Sequence, residues 1–175
     1  MSTLSKPSPS RLFLLSTIAL FVLALDVASK FYVQQTIPLM SESLPIYPYG
    51  GIPVFHNILG VSFSINHLVN TGAAWGFFAS WKEYLLYFRV FIIGALLCYL
   101  VLVPLSKKTQ FYLTLICAGA IGNIVDFFIY GHVIDLFHFS FGSYHYPVFN
   151  VADSAIFLGV VGILIYSTFT KKRKK

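Results

Sequence analysis

The chain has 175 residues, enough for one ordinary domain, yet 57% of them are hydrophobic and only 10% are charged, against the roughly 25% charged residues of a soluble protein. Its net charge of +6 comes with six acidic residues in all. A water-soluble globular domain is excluded, because it would have nowhere to put so much apolar surface, and a membrane protein remains.

Met1 to Ser10 is polar, with two prolines, and reads as a disordered cytoplasmic tail. Leu12 to Leu25 is uncharged and apolar, and the segment continues to about Val33, which supplies the ~20 residues that cross the hydrocarbon core. A cleaved signal peptide is the weaker reading, because no small-x-small site follows and the rest of the chain is itself membrane-like. Asp26 and Lys30 stand four apart near the outer end of this helix, acid before base as helix geometry prefers. They form either a neutralised ion pair anchoring the helix end or a substrate contact.

Residues 34–81 form an extracytoplasmic β-rich insertion between the first two spans, too long for an idle connection. Pro38, Pro45, Pro48 and Pro53, with Gly50-Gly51, break its first half into turns. Val61, Phe63 and Ile65 then alternate with Ser62, Ser64 and Asn66, the pattern of a half-buried strand in a small antiparallel sheet resting on the membrane. His56 and His67 read as surface polar groups. In Asn70-Thr-Gly-Ala-Ala-Trp-Gly76 the small residues allow close backbone approach around one amide, as at a packing seam or a bound peptide.

Tyr84 to Leu105 is the second span, with Arg89 near its outer end, either snorkelling to the headgroups or holding a phospholipid-like substrate. Ser106 to Gln110 is a tight basic turn, Phe111 to Ile129 the third span, and Phe149 to Phe169 the fourth. Cys98 and Cys117 fall within spans and read as packing residues. The expected fold is an all-α membrane bundle of four transmembrane helices with a small extracytoplasmic β-sheet, in one domain over residues 1–175. With both termini and the 106–110 turn in the cytoplasm, nine of the twelve Lys and Arg residues lie inside: Lys6, Arg11, Lys107, Lys108 and the last five. The terminal basic run is therefore a topology signal near anionic lipid, and no nucleic-acid partner is expected.

Half of the acidic residues, Asp126, Asp135 and Asp153, fall in residues 119–154, within or against very apolar segments where a carboxylate is costly. Asn123 and Asp126 are three apart on one helix face, and so, if the fourth span begins at Phe149, are Asn150 and Asp153. The link between them alternates Phe137, Phe139 and Phe141 with His138 and Ser140 around Gly142-Ser143, a short hairpin. It would bring Asp135 within reach of Asp153. Two close carboxylates share a proton, so one can act as general base and the other as general acid.

The motifs GNIVD (122–126), GHVID (131–135) and PVFNVADSA (147–155) resemble the C-terminal half of the lipoprotein signal peptidases, also called signal peptidase II, which are intramembrane aspartyl peptidases. DVASK at Asp26 to Lys30 and NTGAAWG at Asn70 to Gly76 resemble the family's other two motifs in the expected order, so the likeness covers nearly the whole chain. It implies a catalytic dyad at Asp135 and Asp153, supported by Asp26, Lys30, Asn70, Asn123, Asp126 and Asn150. It also implies an inner-membrane endopeptidase that removes signal peptides from lipid-modified prolipoproteins. One departure stands out: the family usually has Arg directly after the aspartate of GNxxD, and this chain has Phe127. The Arg's part in positioning the loop or holding the substrate's lipid phosphate then falls to Arg89 or Lys82, or goes unfilled.

No G-x-S-x-G or H-E-x-x-H is present, and His132, His138 and His145 fit no standard ligand spacing, so neither a cofactor nor a metal is expected. Membrane phospholipids are the other expected partners, around a monomer. The alternative from another class is a small proton- or solute-coupled transporter relaying protons through Asp126, Asp135 and Asp153. Acids gathered at one membrane face rather than at mid-depth argue against it. A catalytically inactive lipid-binding protein is a third reading, motivated by Phe127.

Overall fold

Long apolar runs without internal breakers produce four helices that are long and apolar enough to cross a membrane. The computed structural model describes residues 4–41, 43–44, 46–71 and 82–172. They form α1 (Pro9–Thr36), β1 (Ile52–Ile58), β2 (Val61–Asn70), α2 (Lys82–Leu102), α3 (Lys107–Tyr130), β3 (Val133–Phe141), β4 (Tyr144–His145) and α4 (Val151–Lys172). Gly72 to Gly76 of the small-residue motif, Pro45 and the side chain of Lys82 lie outside the described residues.

α3 is the centre of the bundle and the most buried span, packing on α4, α1 and α2. Small residues make its approach to α4 possible. A Cβ on Gly122 would lie 2.7 Å from Asp26 Oδ2 and 3.3 Å from Ala152 Cβ, and one on Gly119 would run into the Ala152 carbonyl. α3 ends at Gly131, whose φ of 76° is the left-handed cap that glycine adopts without strain.

Across one end of the bundle lies a single antiparallel sheet in the order β1-β2-β3-β4. The insertion's hairpin and the hairpin at 133–145 are thus one structure, joined through Phe63 opposite Phe139 and Leu68 opposite Asp135. Val33 of α1 and Ile37, its C-cap, pack with Ile134 and Leu136 beneath it. Phe149 pairs with Phe137, which stitches the start of α4 to β3.

Four expectations need correction. Residues 4–8 are not a loose tail: Ser5 pairs with Leu105, and Gln110, in the first turn of α3 rather than in a basic turn at 106–110, donates to the Ser5 carbonyl at 2.9 Å. Ser8 then caps α1, accepting the Arg11 N–H at 3.3 Å. His67 is buried, with Nδ1 2.9 Å from the Ile37 carbonyl oxygen. A bulge between Ile65 and Leu68 breaks the simple alternation there. Asn150 lies outside α4 as its cap, rather than on a helix face with Asp153. The amide oxygen accepts the Asp153 N–H at 2.8 Å while the Asp153 carboxylate accepts the Asn150 N–H at 3.3 Å, a reciprocal capping box.

Candidate active site

The polar residues singled out from the sequence converge at the end of the bundle that carries the sheet, and their order of contact starts at Lys30. Its ammonium is fully buried, 2.7 Å from Asp26 on the same helix and 2.8 Å from Asp126 on α3. A lone ammonium there would be prohibitively costly, and two carboxylates offset its desolvation. Lys30 also donates to Asn123 Oδ1 at 3.0 Å. Since a lysine has only donors, the Asn123 amide must turn its nitrogen the other way, and that nitrogen donates to Asp153 Oδ1 at 2.8 Å.

Each of the two carboxylates on Lys30 has a second task. Asp26 accepts the Ala152 N–H, the residue before Asp153, and Asp126 accepts the Ile134 N–H, the residue before Asp135. The backbone on both sides of the site is thereby fixed to one buried ion cluster.

Asn150 links the remaining pair. Its Nδ2 donates to Asp135 Oδ1 at 2.7 Å, and its own backbone N–H and Oδ1 are engaged by Asp153. Asn70, at the end of β2, donates to the other oxygen, Asp135 Oδ2, at 2.9 Å. Asp135 and Asp153 are therefore linked through Asn150, with Asp135 buried and Asp153 half-buried. Burial pushes the Asp135 carboxyl up to about 6; the Asn70 amide works against that rise and the nearby charge of Asp153 adds to it. Asp153 lies in the first turn of α4, where the helix dipole favours a carboxylate.

A cleft of about 380 Å³ opens between α2, α3 and α4, with Asn70, Arg89, Asn123 and Asp153 on its walls. Arg89 is brought to the cleft, and among the described residues neither ion pair involves it. On the other side of Asp153 is an apolar groove of about 610 Å³.

The histidines go elsewhere. His138 is two-fold out of phase with Asp135 along β3 and so points to the opposite face of the sheet. There its Nε2 lies 3.1 Å from His145 Nδ1, and burial together with His145 holds its imidazole below the usual range. Among the described residues no group of three or more His, Cys, Asp or Glu side chains gathers in a way that could hold a metal ion. The part played by Gly119 and Gly122, and by the cap at Asn150, went unread in the sequence. The Asn150-x-x-Asp153 spacing was the signal for the second.

Comparison with known proteins agrees with this architecture. Residues 18–169 match the family model described as signal peptidase (SPase) II. A lipoprotein signal peptidase of Desulforapulum autotrophicum is 36% identical over 167 residues, covering 92% of this chain and 93% of that protein. One of Burkholderia ambifaria is 34% identical and covers 98% and 96%. A solved bacterial membrane enzyme, determined by the in meso method at 2.3 Å resolution, superposes with a TM-score of 0.76 at 25% identity, covering 100% of this chain and 96% of the other. Likeness in sequence and in fold runs almost end to end, through every segment that supplies a residue to the cluster, and the chain belongs to the signal peptidase II family.

Proposed function

We propose that the protein is an intramembrane aspartic endopeptidase that removes signal peptides from lipid-modified bacterial prolipoproteins, with Asp135 and Asp153 as its catalytic pair. The observation that carries this reading is Asn150, which hydrogen-bonds both carboxylates from opposite sides of one side chain and one backbone N–H. Two carboxylates so held share a proton. Asp135 is the buried member with the raised affinity for it, whereas Asp153 sits at a helix N-terminus and accepts two N–H bonds.

Burial favours the protonated form of Asp135, which suits it to the acid's part. Asp153 takes a proton from the attacking water, and Asp135 polarises the scissile carbonyl and passes its proton toward the leaving amine. Asn70, Asn123 and Asn150 hold the carboxylates in place. Asp26, Lys30 and Asp126 position this machinery from behind.

The bundle lies in the bacterial inner membrane with both termini in the cytoplasm and the catalytic pair near the extracytoplasmic face, as the distribution of Lys and Arg supports. The deciding experiment incubates the purified protein with a lipid-modified prolipoprotein. Asp135→Asn and Asp153→Asn should each abolish release of the signal peptide in a protein that remains folded, and the double variant should be hardly worse than either single one. Substantial cleavage by either single variant moves the chemistry to other residues.

A further inference from the structure

The face of the sheet that carries Ile134, Leu136 and His138 becomes polar beyond its apolar contact with α1, and it is closed off from water. Ser62, Ser64, Asn66, His138 and Ser140 are each 6% exposed or less. A buried polar row must be satisfied internally, and here the partners fix each hydrogen in turn. The Pro48 carbonyl can only accept, so the Asn66 amide presents its nitrogen to it, at 2.6 Å, and its oxygen to Ser64. The Ser64 hydroxyl gives its one hydrogen to that oxygen, at 2.5 Å, and can therefore only accept from His138 Nδ1, 3.5 Å away. His138 thus carries its hydrogen on Nδ1, and its Nε2 is bare. His145 Nδ1, 3.1 Å from that bare nitrogen, is then the donor of the bridge between the two rings.

The bridge holds down a weakly paired strand. β4 meets β3 through two residue pairs, His145 opposite Ser140 and Tyr144 opposite Phe141, and so short a strand is marginal by itself. The Tyr146 N–H adds a bond to the Phe139 carbonyl at 2.9 Å, and Phe149, directly before Asn150, is paired with Phe137. The ring bridge therefore steadies the arm of chain that leads into the Asn150 cap.

Protonation acts on this bridge in two steps. The first proton goes to Nε2 of His145, on an exposed ring, and leaves the bridge intact with a charged donor. The second must go to Nε2 of His138, which is the acceptor. Two N–H groups then point at each other, and two cationic rings meet through nitrogens 3.1 Å apart in a nearly closed space. Among the described residues no acid faces them: residues 43–81 contain no Asp, Glu, Lys or Arg, and residues 127–152 only Asp135, on the opposite side of β3. The titratable neighbours are Tyr49, His56 and His67. The Tyr49 ring lies 5.9 Å from His138 and 5.7 Å from His145. His56 is bound to Ser62 and stacked on Tyr47, and His67 is bound to the Ile37 carbonyl. Glu42 lies outside the described residues. Burial first, and then His145, hold His138 below its ordinary value of 6.5. A base lowered in this way stabilises the folded hairpin fully above the ordinary value, and the contribution is lost as pH falls through the folded one.

We infer that the His138–His145 bridge is an acid-operated latch, closed by one bridging hydrogen and opened when His138 takes up a proton, which frees the 142–146 arm from the sheet. The inference concerns the order of the hairpin and does not rest on the peptidase reading.

The test is hydrogen exchange of the full-length protein in lipid nanodiscs at about pH 7 and about pH 4.5, corrected for the intrinsic rate. In the wild type, protection of the amides at 144–146 should fall about tenfold at the lower pH, while that of α4 stays within about twofold. His138→Gln combined with His145→Asn puts an amide oxygen where Nε2 stood and an amide nitrogen where Nδ1 stood, a bridge that does not titrate. Its arm should keep its protection at both pH values. Wild-type protection that does not change with pH overturns the inference. So does an equal loss in the double variant, which would assign the effect to Glu42, His56 or another group, and so does a loss shared by α4. Imidazole nitrogen NMR on the histidine-labelled wild-type protein is an independent readout: at about pH 8 both His138 and His145 should carry hydrogen on Nδ1. An Nε2–H tautomer on His138 overturns the latch even where the double variant fails to fold.

Discussion

Asp26 accepts the backbone N–H of Ala152 at 2.8 Å across 126 residues of sequence, and Ala152 immediately precedes Asp153. Asp126 does the same for Ile134, at 3.2 Å, and Ile134 immediately precedes Asp135. Both carboxylates are neutralised by Lys30. One buried ammonium therefore fixes the backbone behind each member of the proposed pair and also the orientation of the Asn123 amide.

Lys30→Met should consequently be among the most damaging single changes. It leaves two carboxylates facing each other in a buried space, a loss of about 3–5 kcal/mol for breaking such a cluster, and it frees the Asn123 amide to turn. The milder Asp126→Asn keeps an oxygen for the Ile134 N–H and leaves Lys30 paired with Asp26, so the fold and measurable turnover should survive. Thermal unfolding in detergent and signal-peptide release, measured on both variants, check this. An Asp126→Asn protein that is folded yet wholly inactive would give Asp126 a direct part in the chemistry.

Burial of Asp135 sets the pH dependence and Asn70 opposes it. Its amide donates to Asp135 Oδ2 and so favours the ionised form, while burial favours the protonated form and holds the carboxyl at about 6. If the proton on Asp135 is needed for turnover, kcat/KM should fall as pH rises through about 6. Asn70→Ala removes the donor, Asp135 keeps its proton to higher pH, and the alkaline limb should move upward by about one unit. A downward shift reverses the proposed roles. The linkage has the same sign for stability: because the folded value is raised from 3.8 to about 6, the contribution of protonated Asp135 is full below the ordinary carboxylate range and is lost as pH rises through about 6. Thermal stability of the wild-type protein should decline over that interval.

Gly122 is the closest packing point of the site. Gly122→Ala puts a methyl group 2.7 Å from Asp26 Oδ2 and 3.3 Å from Ala152 Cβ. Neither neighbour can yield freely, because Asp26 is held by Lys30 and by the Ala152 N–H. A stability loss of about 1–3 kcal/mol is expected, together with reduced turnover as Asp153 shifts. Gly94→Ala is the control, since a Cβ there meets nothing within 4 Å; equal effects of the two would show that packing at Gly122 is not what matters.

The four spans were legible because an uninterrupted apolar run of that length has few other uses, and the acids were legible because carboxylates in such segments are rare. Asn123 and Asp126 are on one helix face as their spacing implies, both reaching Lys30. What the pattern could not carry was long-range pairing. The alternation at 61–66 and that at 137–141 each read as a strand, but nothing local says that they are neighbours in one sheet across an intervening pair of spans. Asn150 was misplaced because a helix start set two residues early turns a cap into a face. His67 was misplaced by a bulge that alternation cannot reveal. The N-terminal segment looked unstructured by composition, yet its partner is the side chain of Gln110, about a hundred residues away.

Arg89 separates anchoring from substrate binding. It sits in α2, on the wall of the cleft that also holds Asn70, Asn123 and Asp153, and among the described residues it enters neither ion pair. A guanidinium in an apolar segment is kept for a reason, either to reach the headgroups along its stem or to meet a polar ligand in the cleft. These two uses differ in kinetics. If Arg89 holds a peptide or ester carbonyl of the substrate, Arg89→Met should raise KM by about tenfold with a smaller change in kcat, because the contact exists in the ground state as well as in the transition state. Arg89→Lys retains the charge without the planar fork and should fall between. Thermal stability should be unchanged or slightly higher in Arg89→Met, since a charge has been removed from an apolar span. If Arg89 is instead an interfacial anchor, stability or membrane insertion should drop in Arg89→Met, KM should stay constant, and Arg89→Lys should restore the wild-type behaviour completely. Measuring KM, kcat and thermal unfolding on the same two variants distinguishes the outcomes, and an unchanged KM removes Arg89 from the substrate-binding residues.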